Sequence, residues 1–212
     1  MAWVSENRAL TQAEMENNAD IIIAYYRSIN YADKTIASIL GNMQAESTLS
    51  PIRQEVGGVG YGLVQWTPPE KLQNHCNTLG LTPYTSGDVQ IQVVDKEMGT
   101  ASVNQWYTTR PFINNYSSSG ATSDMINITP SQFKNNSMNF SVEKLTILFM
   151  AGYERPSTNP DVNHVDRRIT YANNWWNYME GSPEPPTPPP TPTPVPLPDR
   201  KSSGKIIIVK RR

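Results

Sequence analysis

The chain has 212 residues, 37% of them hydrophobic, which suits one folded domain with a single core. Its formal charge of −1 is unevenly divided: residues 1–180 hold 12 basic and 17 acidic side chains, whereas 181–212 hold six and two, so the larger part is mildly acidic and lacks an electrostatic footprint for nucleic acid. A lone Cys76 excludes an intrachain disulfide framework, no apolar run approaches the roughly 20 residues that cross a bilayer, and Met1 to Leu10 lack the basic start and apolar run of a leader peptide.

The first strong element begins at Thr11, where Thr-Gln-Ala-Glu sets a hydroxyl and Glu14 at capping-box spacing and predicts a helix over 12–29. Met15, Ala19, Ile22, Ile23, Tyr26 and Ile29 recur at steps of three and four, a stripe to be buried. Asp33 is placed to cap a second helix, with Ile36, Ala37, Leu40, Met43 and Ser47 on one face and Pro51 as its stop. Four glycines between Gly57 and Trp66, set among Val59, Tyr61, Leu63 and Val64, read as a small hairpin or turn-rich strand pair. Further helices are expected over 69–79, closed by Gly80, then 87–98, 130–137 opening at Thr129-Pro130, 142–153 and 164–179, with a polar, irregular stretch over 100–128. The expected class is α+β, mostly α, with a small β-hairpin beside the second helix.

At Gly181 the composition breaks. Ten of the eighteen residues from 181 to 198 are proline, an extended semi-rigid spacer of roughly 55 Å at about 3.1 Å per residue. The expected organisation is therefore a domain over 1–180, a Pro-rich linker over 181–198 and a short basic tail over 199–212. That tail, with Ile206 to Val209 followed by Lys210-Arg211-Arg212, reads as a ragged end, the first strand of a second domain, or a strand that joins a partner's sheet edge.

The chemistry concentrates at Gly41 to Thr48, where Glu46 stands in the last turn of an amphipathic helix beside Met43 and Ile39. Partial desolvation and the negative end of the helix dipole both disfavour its anion, and a carboxyl that keeps its proton near neutral pH can protonate a leaving glycosidic oxygen. On periodicity alone an ordinary exposed glutamate near a helix end is the simpler reading. Other constellations are weak. His75-Cys76 and His164 lack zinc-ligand spacing, so no metal or other cofactor is expected. Gly57 to Gly62 lacks the Lys-Ser/Thr of a phosphate-binding loop, and of Trp175-Trp176 one side chain is expected in the core.

Three ordered segments change the balance. Ala45-Glu46-Ser47, then Gly62-Leu63-Val64-Gln65-Trp66, then Met150-Ala151-Gly152-Tyr153-Glu154 resemble the motifs of goose-type lysozymes and soluble lytic transglycosylases. More closely, Gly41 to Thr48, Gly60 to Thr67 and Tyr153-Glu154-Arg155-Pro156 resemble the phage tail lysozyme family, the wall-degrading modules at the tail tips of small podoviruses, over about residues 10–180.

The resemblance implies a lysozyme-like α+β fold and cleavage of the β-1,4 glycan of bacterial peptidoglycan, with Glu46 as general acid. It implies that Gln65 hydrogen-bonds an acetamido group or sugar hydroxyl, that Trp66 or Tyr61 forms an aromatic wall, and that Tyr153 faces the acid across the cleft. Glu154 stands where lytic transglycosylases usually have asparagine. It is either part of the substrate site or the partner of Arg155 in a buried ion pair. A second carboxylate for hydrolysis, about 5 to 9.5 Å from the first, has Glu55, Glu154, Asp88 and Glu70 as candidates, Glu55 foremost. Without one, substrate-assisted cleavage or transglycosylation on the same bond is expected. The alternative outside enzymology is a non-catalytic wall-binding tail-tip module. The implied setting is the virion, with peptidoglycan as substrate, other tail proteins as partners through the C-terminal tail, and neither nucleic acid nor membrane as a partner.

Overall fold

The structure is a computed structural model of the chain, and it describes residues 2–107, 114–155 and 163–181. The Pro-rich segment from 182 and the basic tail lie outside the described residues, as do 108–113 and 156–162. Seven α-helices make up the described part: α1 (Gln12–Ser28), α2 (Asp33–Ser47), α3 (Glu70–Leu79), α4 (Gly87–Gly99), α5 (Pro130–Asn135), α6 (Val142–Phe149) and α7 (Val165–Met179). Short 3-10 turns at Asn114–Ser119 and Ser123–Met125 interrupt the polar stretch.

The expected capping box forms at α1: the Thr11 hydroxyl accepts from the Glu14 amide, and the Glu14 carboxylate accepts from the Thr11 amide at 2.8 Å. Helix α2 starts differently from the expectation. Ala32 is its cap residue, without a side-chain hydrogen bond, and Asp33 lies inside the first turn, where its carboxylate accepts from Arg27 at 2.8 and 3.0 Å. It ends at Ser47, earlier than Pro51, because Thr48 and Leu49 turn into left-handed backbone at φ 52° and 61°.

Helix α2 is the axis of the fold. From Thr35 to Met43 every residue is buried, and α1, α6 and α7 pack around it. Its tightest approach is to α7 at Gly41, where a Cβ would meet the Ala172 backbone nitrogen at 2.5 Å, so only glycine lets the two helices come this close.

The Gly-rich segment departs from the expected hairpin. Among the described residues it forms no strand pair, only two isolated antiparallel bridges, Gln54 to Tyr61 and Tyr61 to Trp66. The reason lies in its backbone: Gly62 and Gln65 adopt φ of 79° and 51°, so the chain coils too tightly to extend a ladder. Side chains hold it instead. Buried Gln90 of α4 accepts from the Leu63 amide at 3.0 Å and donates to the Pro51 and Tyr84 carbonyls at 2.7 and 2.9 Å, while the Ser47 hydroxyl donates to the Leu63 carbonyl at 3.0 Å. The end of α2 and the loop are thereby fixed to each other.

The helix expected over 142–153 changes pitch midway. After Phe149 the chain enters a π-helical turn, Met150–Glu154, in which the Arg155 amide donates to the Met150 carbonyl five residues back at 2.7 Å. The wider turn re-aims the residues that follow, a device found often at functional sites.

Candidate active site

A cleft of about 380 Å³ opens where α2, the Gly-rich loop, α3, α4 and the π-turn meet. Glu46, Glu55, Gln65, Trp66, Tyr153 and Glu154 line it, so six of the residues singled out in the sequence come together from three separate segments. Tyr61 does not line it; its ring packs on Tyr84 with centroids 5.8 Å apart. Nor do Glu70 and Asp88, the latter accepting from the Trp3 indole at 3.0 Å.

Glu46 reaches the cleft from the last turn of α2 with its side chain 23% exposed. A cation that the sequence reading did not anticipate holds it. Arg168, in the first turn of α7 and 7% exposed, donates through Nη2 to Glu46 and through Nη1 to Glu154 at 2.8 Å and to Asn42 at 3.0 Å, while its Nε donates to the Asn163 carbonyl at 3.0 Å. Asn42 is itself oriented by donating to the Ser38 and Thr146 carbonyls. One guanidinium thus ties α2, α7 and the π-turn at the back of the cleft. Glu154 is therefore paired with Arg168 and not with neighbouring Arg155, because the π-turn directs adjacent side chains apart and Arg155 takes left-handed backbone at φ 52°.

Glu154 is 6% exposed, and its Oε1 is buried without a hydrogen-bond partner among the described residues. Burial pushes its carboxyl up to about 8, Arg168 opposing that rise and the charge of Glu46 adding to it. Burial thus favours the protonated form of Glu154.

A second carboxylate, Glu97 of α4, stands fully buried on the floor of the cleft. The Trp66 indole donates to both its oxygens at 3.0 and 3.1 Å, the Tyr153 hydroxyl donates to Oε2, and His75 Nδ1 meets Oε1. Burial, with Glu97 alongside, pushes the Tyr153 phenol well above its ordinary range, so it stays a neutral donor. Trp66 is 4% exposed, an edge of the cleft floor more than a free-standing wall. Gln65 donates from its amide nitrogen to the Gly62 and Arg53 carbonyls at 2.8 and 3.2 Å. Glu55 accepts from the Gly60 amide at 3.0 Å.

Arg168 and Glu97 escaped the sequence reading, yet each leaves a trace there. Val165, Arg168, Ala172 and Trp175 are the buried positions of α7, a stripe at helical spacing that includes one arginine. Glu97 stands likewise among Val93, Val94 and Met98 on the buried face of α4. A charge on an apolar stripe must have a partner, since an unpaired buried charge is costly. Among the described residues no cluster of His, Cys, Asp and Glu is arranged to hold a metal ion, and no helix is long and apolar enough to cross a membrane.

Comparison with known proteins accords with this geometry. A relative from Bacillus phage B103, Morphogenesis protein 1, is 31% identical over 184 residues, covering 84% of this chain and 44% of the relative, so the chain spans less than half of that protein's length. The family model of the phage tail lysozyme matches residues 17–179, which include α2, the Gly-rich loop, the π-turn and α7. The chain belongs to the phage tail lysozyme family.

Proposed function

We propose that the chain is a glycosidase of mostly helical, lysozyme-like fold that cuts the β-1,4 glycan backbone of bacterial peptidoglycan, with Glu46 as general acid. The observation that carries this reading is the convergence of Glu46, Gln65, Tyr153 and Glu154 on one cleft from segments about a hundred residues apart. Both Glu46 and Glu154 line the cleft, and Glu46, its side chain 23% exposed against 6%, is the more accessible of the two. A sugar entering the cleft displaces water from around Glu46 and brings the glycosidic oxygen within reach of its carboxyl.

Glu97 is occupied by three partners and Glu154 is held by Arg168, so Glu55 is the carboxylate in the cleft available to activate water. Hydrolysis through Glu55 leaves a reducing muramic end. If Glu55→Gln retains cleavage, the reaction proceeds without it, and a 1,6-anhydro product marks transglycosylation. In this reading residues 1–180 form the catalytic domain, 181–198 a spacer, and 199–212 a contact to other tail proteins. The name of the Bacillus phage relative supports a place in the virion, with wall opening at infection as the role.

The test is release of soluble fragments from purified peptidoglycan by wild type and Glu46→Gln. A loss of about a hundredfold or more with the fold retained supports Glu46 as the acid, since positioned proton transfer contributes about 10²–10⁴-fold. Equal release by both overturns the mechanism. Absence of release by either favours a non-catalytic wall-binding module.

A further inference from the structure

The cleft holds six charged side chains, and they are not evenly partnered. Its carboxylates all have polar contacts: Glu97 with Trp66, Tyr153 and His75, Glu46 and Glu154 with Arg168, and Glu55 with the Gly60 amide. Its two cations, Lys71 and Arg155, have no carboxylate partner among the described residues. Lys71, in the first turn of α3, is half-buried, and its ammonium makes no hydrogen bond among the described residues. Burial lowers its ammonium, with Glu97 opposing that effect and nearby Arg155 adding to it.

Arg155 is held in place without being neutralised. Its Nη2 donates to the Gln105 side-chain oxygen at 2.8 Å, and its guanidinium lies 4.2 Å from the centroid of the Tyr107 ring. Its Nε is buried with no hydrogen-bond acceptor among the described residues. Its backbone adopts φ 52°, a conformation costly for a non-glycine residue and retained where the surroundings impose it. Two partly buried cations, one oriented by a neutral amide and a ring, suit an anionic group entering the cleft. Among the described residues neither cation forms an ion pair with a cleft carboxylate.

We propose that Lys71 and Arg155 form a carboxylate-binding subsite, through which the protein distinguishes glycan bearing muramic acid from uncharged chitin-like glycan. This rests on the glycan-cleaving reading above. Chitin is a polymer of N-acetylglucosamine alone and offers these cations nothing to pair with. Peptidoglycan adds a lactyl ether on alternate sugars, and its carboxylate is either free or joined in an amide to a stem peptide that brings carboxylates of its own. A guanidinium and an ammonium on one wall suit either source.

The experiment is calorimetric binding to the full chain carrying Glu46→Gln, which prevents turnover, with and without Lys71→Gln and Arg155→Gln. Three tetrasaccharides serve as probes: chitotetraose, the alternating muramic-acid form with free lactyl carboxylates, and the same form bearing stem peptides. The expected result is that the added substitutions weaken an anionic ligand at least about tenfold more than chitotetraose, the scale of a charge-assisted hydrogen bond. Lys71→Arg is expected to retain the selectivity. Selectivity confined to the free-lactyl ligand assigns the lactyl carboxylate, and selectivity confined to the peptide-bearing ligand assigns the stem. Equal weakening of all three, no weakening, or no binding of either anionic ligand before the added substitutions overturns the subsite. If the doubly substituted chain does not fold, Lys71→Gln alone carries the comparison. Selective binding by a protein that releases nothing from intact wall contradicts the glycosidase reading and leaves the subsite standing; release from wall and chitin alike, without selective binding, does the reverse.

Discussion

Two buried carboxylates at the cleft, Glu97 and Glu154, meet the cost of burial in opposite ways. Glu97 receives hydrogen bonds from Trp66 and Tyr153 and a contact from His75, so both its oxygens are engaged. Glu154 offers one oxygen to a guanidinium that it shares with Glu46, and its other oxygen has no partner among the described residues. The first arrangement locks three elements into one geometry. The second leaves a buried carboxyl incompletely engaged, and burial raises its pKa. The difference teaches that burial alone does not make a carboxyl catalytic. What matters is whether its partners saturate it.

The comparison is most severely tested at Arg168. Arg168→Met removes the cation from between two carboxylates, and breaking a buried pair in this way costs about 3–5 kcal/mol. Urea unfolding at pH 7 is expected to register a loss of that order, with part regained in Arg168→Met/Glu154→Met. A protein as stable as wild type would mean that the cluster is not held as an ion triad.

Next is Glu97→Gln, which replaces an acceptor oxygen with a donor among groups that already donate. A buried donor left unmatched costs about 1–3 kcal/mol, and a lowered unfolding midpoint of that order is expected together with altered Trp66 fluorescence. If neither changes, Glu97 does not organise the cleft floor.

Gly41→Ala tests how the two clusters are spaced. The added methyl meets Ala172, one turn beyond Arg168 on α7, and overpacking of this kind costs about 1–3 kcal/mol. Wall release is expected to fall more than the melting temperature alone explains, since α7 carries Arg168 away from Glu46 as the helices part. Release that follows stability alone would separate the helix spacing from the site.

The last test is the pH dependence. Below about pH 4.5 Glu154 is protonated in folded and unfolded chains alike. Between there and about 8 the unfolded chain loses the proton while the folded chain keeps it, so stability falls as pH rises through that window. One such group contributes at most about 1.4 kcal/mol per pH unit, and less here because it titrates together with its neighbours. Urea midpoints from pH 5 to 8 are expected to decline more steeply for wild type than for Glu154→Gln. Parallel profiles would show that Glu154 is ionised throughout.

Much of this molecule is legible in the order of its residues. Helices α1, α3, α4 and α7 lie within a residue or two of where capping residues and three-to-four spacing put them, because those signals act over one or two turns. Glu46, Gln65 and Tyr153 were marked by motif, and all three line the cleft. The expected hairpin was not found among the described residues, since alternating apolar residues between glycines suit either a ladder or a coiled loop, and Gln90, 27 residues away, holds the loop form. Arg168 and Glu97 are the clearest case of what only the tertiary structure decided. Each is an ordinary charged residue along the chain, and each acquires its part through partners on other elements: Glu46 lies 122 residues from Arg168, and Tyr153 lies 56 from Glu97. The sequence by itself determined the helices and marked the acid, because capping, periodicity and motif are local properties. The tertiary structure decided which charges neutralise one another, because that depends on distance through the folded interior.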